Sequence, residues 1–513
     1  MNGAEIVVKT LIGQGVQLCF ANPGTSEMHF LAAMDTQPGL RPVLALHENV
    51  ATGAADGYAR LAAKPASTLL HLGPGLANGL SNLHNASRAL SPVVNVVGDH
   101  ATSHRRLDAP LTSDIEALAR TVGMCRSALP GSNIAAEVAS AVAQARGPVP
   151  GVSTLLLPAD TAWSEAAACP ESHQTAASPS ATPNAATLLA AAAALRQRGA
   201  VLFLGFGALR GDALEAAGRI AAATGAALVA QTTNPVIDRG TGRIQVERLP
   251  FALDAALSRL SDVPALVLAG SRAPVAFFAR PGQPGQLWPV GCQVTQLFAP
   301  HADAAHSLAA LCDHLNAGPL ASGHGLRAAA HDPSSVGPSW IGQTLATLLP
   351  DGAIVIDEAL THGAVIAAAT VQAAPHLWLQ NMGGSIGYGA PAAIGAALAA
   401  PDRPVIALIG DGSAMYTLQA LWTQARESLH VITLIIANQA YRILELEAAR
   451  MGIQTLGPAM ARSLRVEGPT LDFVKLAEGM GVPARQVNDA AQLRDALAHG
   501  LKARGPMLIQ ANV

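Results

Sequence analysis

VIALIGDGSAMYTLQALWTQARESLHVITLIIANQA, residues 405–440, is the stretch on which the fold turns. One apolar run, VIALI, ends in Gly410-Asp411-Gly412 followed by Ser413. A second, VITLIIA, ends at Asn438, 27 positions after Asp411. Two unbroken apolar runs with a helical segment between them read as neighbouring strands of a parallel sheet buried on both faces. Ligands of such open sheets gather beyond the carboxyl ends of the strands, so Asp411 and Asn438 are expected at one edge. The glycines let backbone approach a phosphate, and the helix after Gly412 would turn its N-terminus toward an anion. A carboxylate and an amide oxygen are hard donors. They suit Mg2+, which takes about six oxygens at ~2.0–2.1 Å and often draws some from a phosphate. Taken alone, the same residues also read as a strand-ending turn and a helix cap.

Outward from this stretch the pattern repeats. Apolar runs at 43–46, 67–71, 93–97, 201–205, 265–270 and 353–357 alternate with alanine-rich helical segments. The expected fold class is therefore α/β: three doubly wound parallel-sheet domains joined by right-handed crossovers. Pro-, Ser- and Thr-rich stretches at 169–186 and 316–338 read as linkers. They divide the chain into 1–168, 187–315 and 339–513. The 513 residues are too many for one core and match about three domains of ordinary size.

Near the N-terminus, VLALHENVATGAADGYAR (43–60) is a strand followed by a helix that begins at Glu48. A carboxylate there is favoured by the helix dipole whatever its function. Taken with Gly410-Asp411-Gly412 and Asn438, however, the segment resembles the thiamine-diphosphate enzymes of the acetolactate synthase and benzoylformate decarboxylase family. The resemblance implies three domains: pyrimidine-binding, central and diphosphate-binding. It implies that Asp411 and Asn438 ligate Mg2+ by side chain and Ala440 by its carbonyl. Gly410, Gly412 and Ser413 would meet the diphosphate of thiamine diphosphate. Glu48 would bond to the pyrimidine nitrogen N1′ and so promote loss of the thiazolium C2 proton, a role that asks for a desolvated carboxyl group.

Further matches extend the resemblance. LCFANPGTSEMHF (18–30) resembles the family's Asn-Pro-Gly loop and sets Thr25 near the substrate carboxylate, with Glu27 two residues on. His71 and Asn78 match pocket positions of benzoylformate decarboxylase. An imidazole there could shuttle protons, although a lone histidine after a strand is also an ordinary structural residue. In NMGGSIGYGAPAAIG (381–395), Gly384 would accept from the 4′-amino group and Ile386 would bend the cofactor. Leu360 and Thr361 match diphosphate contacts. Tyr441, Ile443 and Leu444 match pocket-lining positions, or else simple helix core; as pocket walls they would favour a small aliphatic 2-oxo acid.

The implied activity is a decarboxylase or carboligase for such an acid, or else an acetolactate synthase-type carboligase. The implied assembly is a homodimer or homotetramer with its active sites between subunits. The central segment departs from the pattern. APVAFFARPGQPG (273–285) has Phe277, Phe278 and Ala279 where benzoylformate decarboxylase has a histidine. For FAD there is only Gly205-Phe206-Gly207 with Gly211, and no acidic ribose partner. A rival reading of those glycines is a nucleotide-binding or hydride-transfer protein.

Composition excludes other classes. A net charge of −3 and 4% aromatics argue against nucleic acid or an anionic membrane surface as partner. The cysteines, at positions 19, 125, 169, 292 and 312, form no Cys-x-x-Cys pair, so neither disulfides nor zinc are expected, and the cytoplasm is the expected compartment. The N-terminus reads as an amphipathic helix rather than a signal peptide, and LLAAAAAL (188–195) as a soluble helix too short to span a bilayer.

Overall fold

The computed structural model describes residues 1–166, 182–320 and 339–513. Most of the two expected linkers lies outside the described residues. The chain divides into two compact units, one drawn from 1–178, 381–488 and 495–513, the other from 179–380 and 489–494.

In the first unit, helix α1 (Gly3–Gly13) leads into a sheet of six parallel strands: β1 (Leu18–Asn22), β2 (Arg41–Leu44), β3 (Ala66–Leu70), β4 (Val93–Asp99), β5 (Gly123–Ser127) and β6 (Val152–Pro158). Their order is β2-β1-β3-β4-β6-β5. Asn22 pairs in register with Leu70, and Leu70 with Val97. The chain therefore leaves three adjacent strands at one level of the carboxyl edge. α2 (Glu48–Ala62) opens on Glu48, as the sequence implies, with the His47 ring accepting the Asn49 N–H as its cap. α3 (Leu72–Ala89) takes Gly73-Pro74-Gly75 into its first turn, where proline lacks only an N–H the helix would not use.

The second unit holds β7 (Val201–Leu204), β8 (Ala227–Ala230), β9 (Ile237–Arg239), β10 (Glu247–Arg248), β11 (Ala265–Ala269), β12 (Gln293–Phe298), β13 (Ile354–Glu358) and β14 (His376–Gln380). Five of these form a parallel sheet in the order β10-β8-β7-β11-β12. β13 and β14 pair in parallel, and β9 joins β14 antiparallel. The alanine run at 188–195 is a helix packed on the first of these sheets, with Ala191, Ala192, Ala194 and Leu195 inside its core.

His376 is buried in this unit. Its Nδ1–H donates to the Ala374 carbonyl at 2.8 Å, while Nε2 is buried without a partner among the described residues. A proton on Nε2 would be an unsatisfied buried charge. Burial, helped by the Arg239 charge, accordingly lowers the pKa to about 4 from the ordinary 6.5. Below pH 6.5 the unfolded chain takes up a proton that the folded chain refuses, so stability is lost as pH falls from 6.5 toward 4. The loss is on the order of 3 kcal/mol. His376→Gln should flatten that acid limb in urea titrations run across this range; an unaltered limb would remove His376 as its source.

The first unit resumes with α4 (Gly389–Ala399), β15 (Val405–Gly410), α5 (Asp411–Ala414), β16 (Val431–Ala437), α6 (Arg442–Arg450), β17 (Ala484–Val487) and β18 (Met507–Asn512). The four strands lie parallel in the order β17-β18-β16-β15. α4 packs directly on α2, backbone to backbone. A Cβ on Gly57 would sit 2.2 Å from the Ala392 carbonyl oxygen, and one on Gly395 would sit 2.0 Å from that of Ala54. Beside this contact, Arg60 donates to Asp56 at 2.9 Å and lies over the Tyr388 ring at 4.9 Å. Three parallel-dominated sheets clothed by helices make this the α/β architecture expected.

Candidate cofactor site

The residues expected to hold metal and diphosphate lie where the register of β15 and β16 takes them. Gly410 pairs with Ile436, so Asp411 and Asn438 leave the sheet at one edge. Asp411 is buried. Its Oδ2 accepts the Gln439 N–H at 2.6 Å and its Oδ1 accepts the Gly412 N–H at 2.8 Å. Burial raises its pKa, and these backbone donors pull it back in part. Asn438 Oδ1 accepts the Ala440 N–H at 3.0 Å. A carboxylate and an amide oxygen are the hard donors that a magnesium ion takes.

Ser413, 1% exposed, has its hydroxyl buried without a partner among the described residues. A Cβ on Gly410 would meet open space, while one on Gly412 would strike the Tyr441 ring at 2.5 Å. An orphaned hydroxyl, an open glycine and two hard oxygens fit a magnesium-held diphosphate. One detail differs from expectation. The helix after Gly412 is a single turn, Asp411–Ala414, so this edge does not carry the dipole of a long helix. α6 begins at Arg442, with Ile443 half-buried and Leu444 47% exposed. Neither is helix core, so both remain available as walls.

Backbone strain marks the same kind of place. Leu72, Phe206, Leu360 and Gln439 all adopt left-handed φ, at 47°, 48°, 48° and 54°. Each is the second residue beyond the end of a strand: β3, β7, β13 and β16. That conformation costs a residue with a side chain about 1–2 kcal/mol and concentrates at ligand sites. Leu360 is exposed and Thr361 buried within the short 3-10 helix Leu360–His362 of the second unit.

Glu48 is 8% exposed and accepts from Asn78 Nδ2 at 3.0 Å. Among the described residues no cation forms an ion pair with it, and beyond Asn49 the first turns of α2 are small or apolar.

Beside it the carboxyl edges of β1, β3 and β4 assemble a second group. His71 Nδ1 lies 2.8 Å from Glu27 Oε2 and 3.1 Å from Ser26 Oγ. Glu27, 3% exposed, also accepts the Gly24 N–H at 2.8 Å and the Ser26 hydroxyl at 2.6 Å. An ionised carboxylate can only accept, so beside it His71 carries a proton on Nδ1, and Nε2 stays outside this pairing. Two glycines make room: a Cβ on Gly24 would strike the His71 ring at 2.1 Å, and one on Gly98 would strike Glu27 Oε1 at 1.8 Å. Thr25 is exposed at the start of the 3-10 helix Thr25–Glu27, and its neighbour Ser26 is the hydroxyl that meets His71. Nothing in the sequence signals that Ser26 and Gly98 belong to this group; the strand register brings them there.

Loop 381–388 carries Gly384, exposed with φ 78°, and Ile386, half-exposed. Asn381 Oδ1 accepts the Gly383 and Gly384 N–H groups at 3.2 and 2.9 Å, which sets the turn. In the central segment, a Cβ on Gly205 would meet Gln231 and the Gly270 carbonyl at 2.9 Å, and one on Gly207 would meet Ala304 at 3.2 Å. Protein packing accounts for both of those glycines.

Comparison with known proteins agrees across the chain. Residues 1–119 match the family model of the thiamine pyrophosphate enzyme N-terminal TPP binding domain, and residues 361–511 that of the C-terminal TPP binding domain. A Mycobacterium tuberculosis protein with the provisional name acetolactate synthase large subunit IlvX is 48% identical over 100% of this chain and 99% of its own. Benzoylformate decarboxylase of Pseudomonas aeruginosa is 31% identical over 97% and 96%. The solved thiamine diphosphate-dependent 4-hydroxybenzoylformate decarboxylase of Rhodococcus jostii superposes with a TM-score of 0.83 at 25% identity, covering 99% of this chain and 98% of that one. With both binding domains matched and full-length relatives on either side, the chain belongs to the thiamine pyrophosphate enzyme family and is an enzyme of its acetolactate synthase and benzoylformate decarboxylase type.

Proposed function

We propose that this enzyme is a magnesium-dependent decarboxylase or carboligase of a small aliphatic 2-oxo acid. The observation that carries the reading is the orphaned Ser413 hydroxyl beside Asp411 and Asn438 at the edge of β15 and β16. Asp411, Asn438 and the Ala440 carbonyl hold Mg2+; Ser413, Gly410 and Gly412 hold the diphosphate. Thiamine diphosphate supplies, when bound, a carbanion that adds to the keto carbon and stores the electrons released with CO2. Glu48 holds a proton at N1′, Gly384 accepts from the 4′-amino group through its carbonyl, and Ile386 supports the bent cofactor. His71 moves a proton at the substrate through Nε2, with Glu27 fixing its tautomer and steadying its charged form. Thr25 binds near the substrate carboxylate, and Tyr441, Ile443 and Leu444 narrow the pocket. FAD has no part in this reading. The assembly is a dimer or tetramer with shared sites, working in the cytoplasm. Among the described residues no helix is long and apolar enough to cross a membrane.

A second reading, acetolactate synthase-type carboligation, is favoured by the name of the 48% identical relative. Both readings start from a 2-oxo acid and release CO2. They part at the next step: the decarboxylase protonates the remaining carbon to an aldehyde, and the synthase adds it to a second 2-oxo acid. Protein loaded with Mg2+ and thiamine diphosphate should turn over pyruvate or a branched 2-oxo acid faster than benzoylformate. Product analysis then separates the readings: aldehyde supports the first and a 2-hydroxy-3-oxo acid the second. A clear preference for benzoylformate would overturn the small-substrate assignment.

A further inference from the structure

The geometry points to Asn82 and Asn85 of α3 as positioning residues that set the cofactor loop, a role resting on the reading of loop 381–388 given above. Both side chains are fully buried. Asn85 closes on Ser385 from both sides of its amide: Nδ2 donates to the Ser385 carbonyl at 2.9 Å, and Oδ1 accepts the Ser385 N–H at 3.2 Å. Its second Nδ2 proton goes to Asn82 Oδ1 at 2.9 Å. Asn82 Nδ2 in turn donates to the Gly387 carbonyl at 3.0 Å and to the Asn49 carbonyl at 2.9 Å. Asn49 Oδ1 accepts from Ser81 Oγ at 2.8 Å and from the Asn82 N–H at 3.0 Å.

Every polar atom of the two asparagine side chains is thus used, and the chain of bonds runs from the first turn of α2, next to Glu48, to Ser385 and Gly387. Those two residues flank Ile386, and Ser385 follows Gly384. A buried amide with all its bonds made holds one geometry, because any slip strands donors and acceptors away from water. A solvated loop of glycine and serine would have no such restraint. The asparagines touch neither cofactor nor substrate. They fix the height and tilt of the one loop segment that must meet both the 4′-amino group and the thiazolium. The metal and the diphosphate, which dominate affinity, lie on other segments.

The test uses Asn85→Leu and Asn82→Leu, with Asn85→Ser taking the place of either variant that fails to fold. Three quantities are measured: affinity for thiamine diphosphate with Mg2+ by calorimetry, exchange of the bound C2 proton, and backbone hydrogen exchange of 383–387 without cofactor. Affinity should stay within about tenfold of native. C2 exchange should slow by roughly 10–100-fold, the usual effect of a misplacement near 1 Å. Residues 383–387 should exchange faster. Native C2 exchange despite a loosened loop would overturn the proposal. So would affinity and C2 exchange falling in parallel, which a purely structural role produces. Glu48→Gln run beside these variants separates the two levels: if it blocks C2 exchange and the asparagine variants do not, only this proposal fails, and if it leaves exchange unchanged, the site reading itself fails.

Discussion

Asp411→Ala is expected to abolish Mg2+-dependent binding of thiamine diphosphate. Loss of an outer-shell partner of a metal ligand costs roughly 10–100-fold in metal affinity, and removal of a charged ligand should exceed that. The structure adds a second cost, because the carboxylate also accepts the Gln439 and Gly412 N–H groups at the ends of β16 and β15. Asp411→Asn separates the two. It keeps an oxygen for one of the two backbone donors, turns an amide NH2 toward the other and loses the charge, so the edge should be disturbed less than in Asp411→Ala while the metal-dependent affinity is lost. Calorimetric titration with and without Mg2+ reads both variants. Native, metal-dependent affinity in Asp411→Ala would remove this corner from the cofactor site.

The second large effect is expected at Glu48. Glu48→Gln preserves shape and can still accept from Asn78, which now donates to Glu48 at 3.0 Å. It cannot exchange a proton at N1′. Cofactor affinity should therefore change little, while exchange of the C2 proton should slow by about 10²–10⁴-fold, the range for loss of a positioned acid–base group. The contrast with Asp411→Ala is the useful part: one substitution removes binding, and the other leaves binding but removes activation.

How much of this was legible in the chain follows from burial. The expected apolar runs at 67–71, 93–97, 201–205, 265–270, 353–357, 405–410 and 431–438 match strands with at most one residue outside, and the run at 43–46 overlaps one that ends two residues early, at Leu44. Interior strands of a parallel sheet are covered on both faces and must be apolar throughout. Strands at the sheet edges are partly wet and carry no such signature. Gly123–Ser127, Glu247–Arg248 and Gln293–Phe298 each end a sheet and contain polar or exposed residues, so no apolar run betrays them. Gly73-Pro74-Gly75 is ambiguous in sequence for a related reason: proline breaks helix interiors but is tolerated in a first turn, and only the end of β3 at Leu70 shows which case applies.

Short-range chemistry was therefore in the sequence itself. It determined the α/β class, the helix that opens on Glu48 and the strand ends that deliver Asp411 and Asn438, because apolar periodicity and turn residues act over a few positions. Tertiary structure alone decided which distant atoms meet. The register of β1, β3 and β4 brings Glu27, His71 and Gly98 together, and the packing of α2, α3 and α4 joins Asn49, Asn82 and Asn85 to Ser385 and Gly387. Buried polar atoms must find partners wherever the fold supplies them, and sequence spacing carries no record of that match.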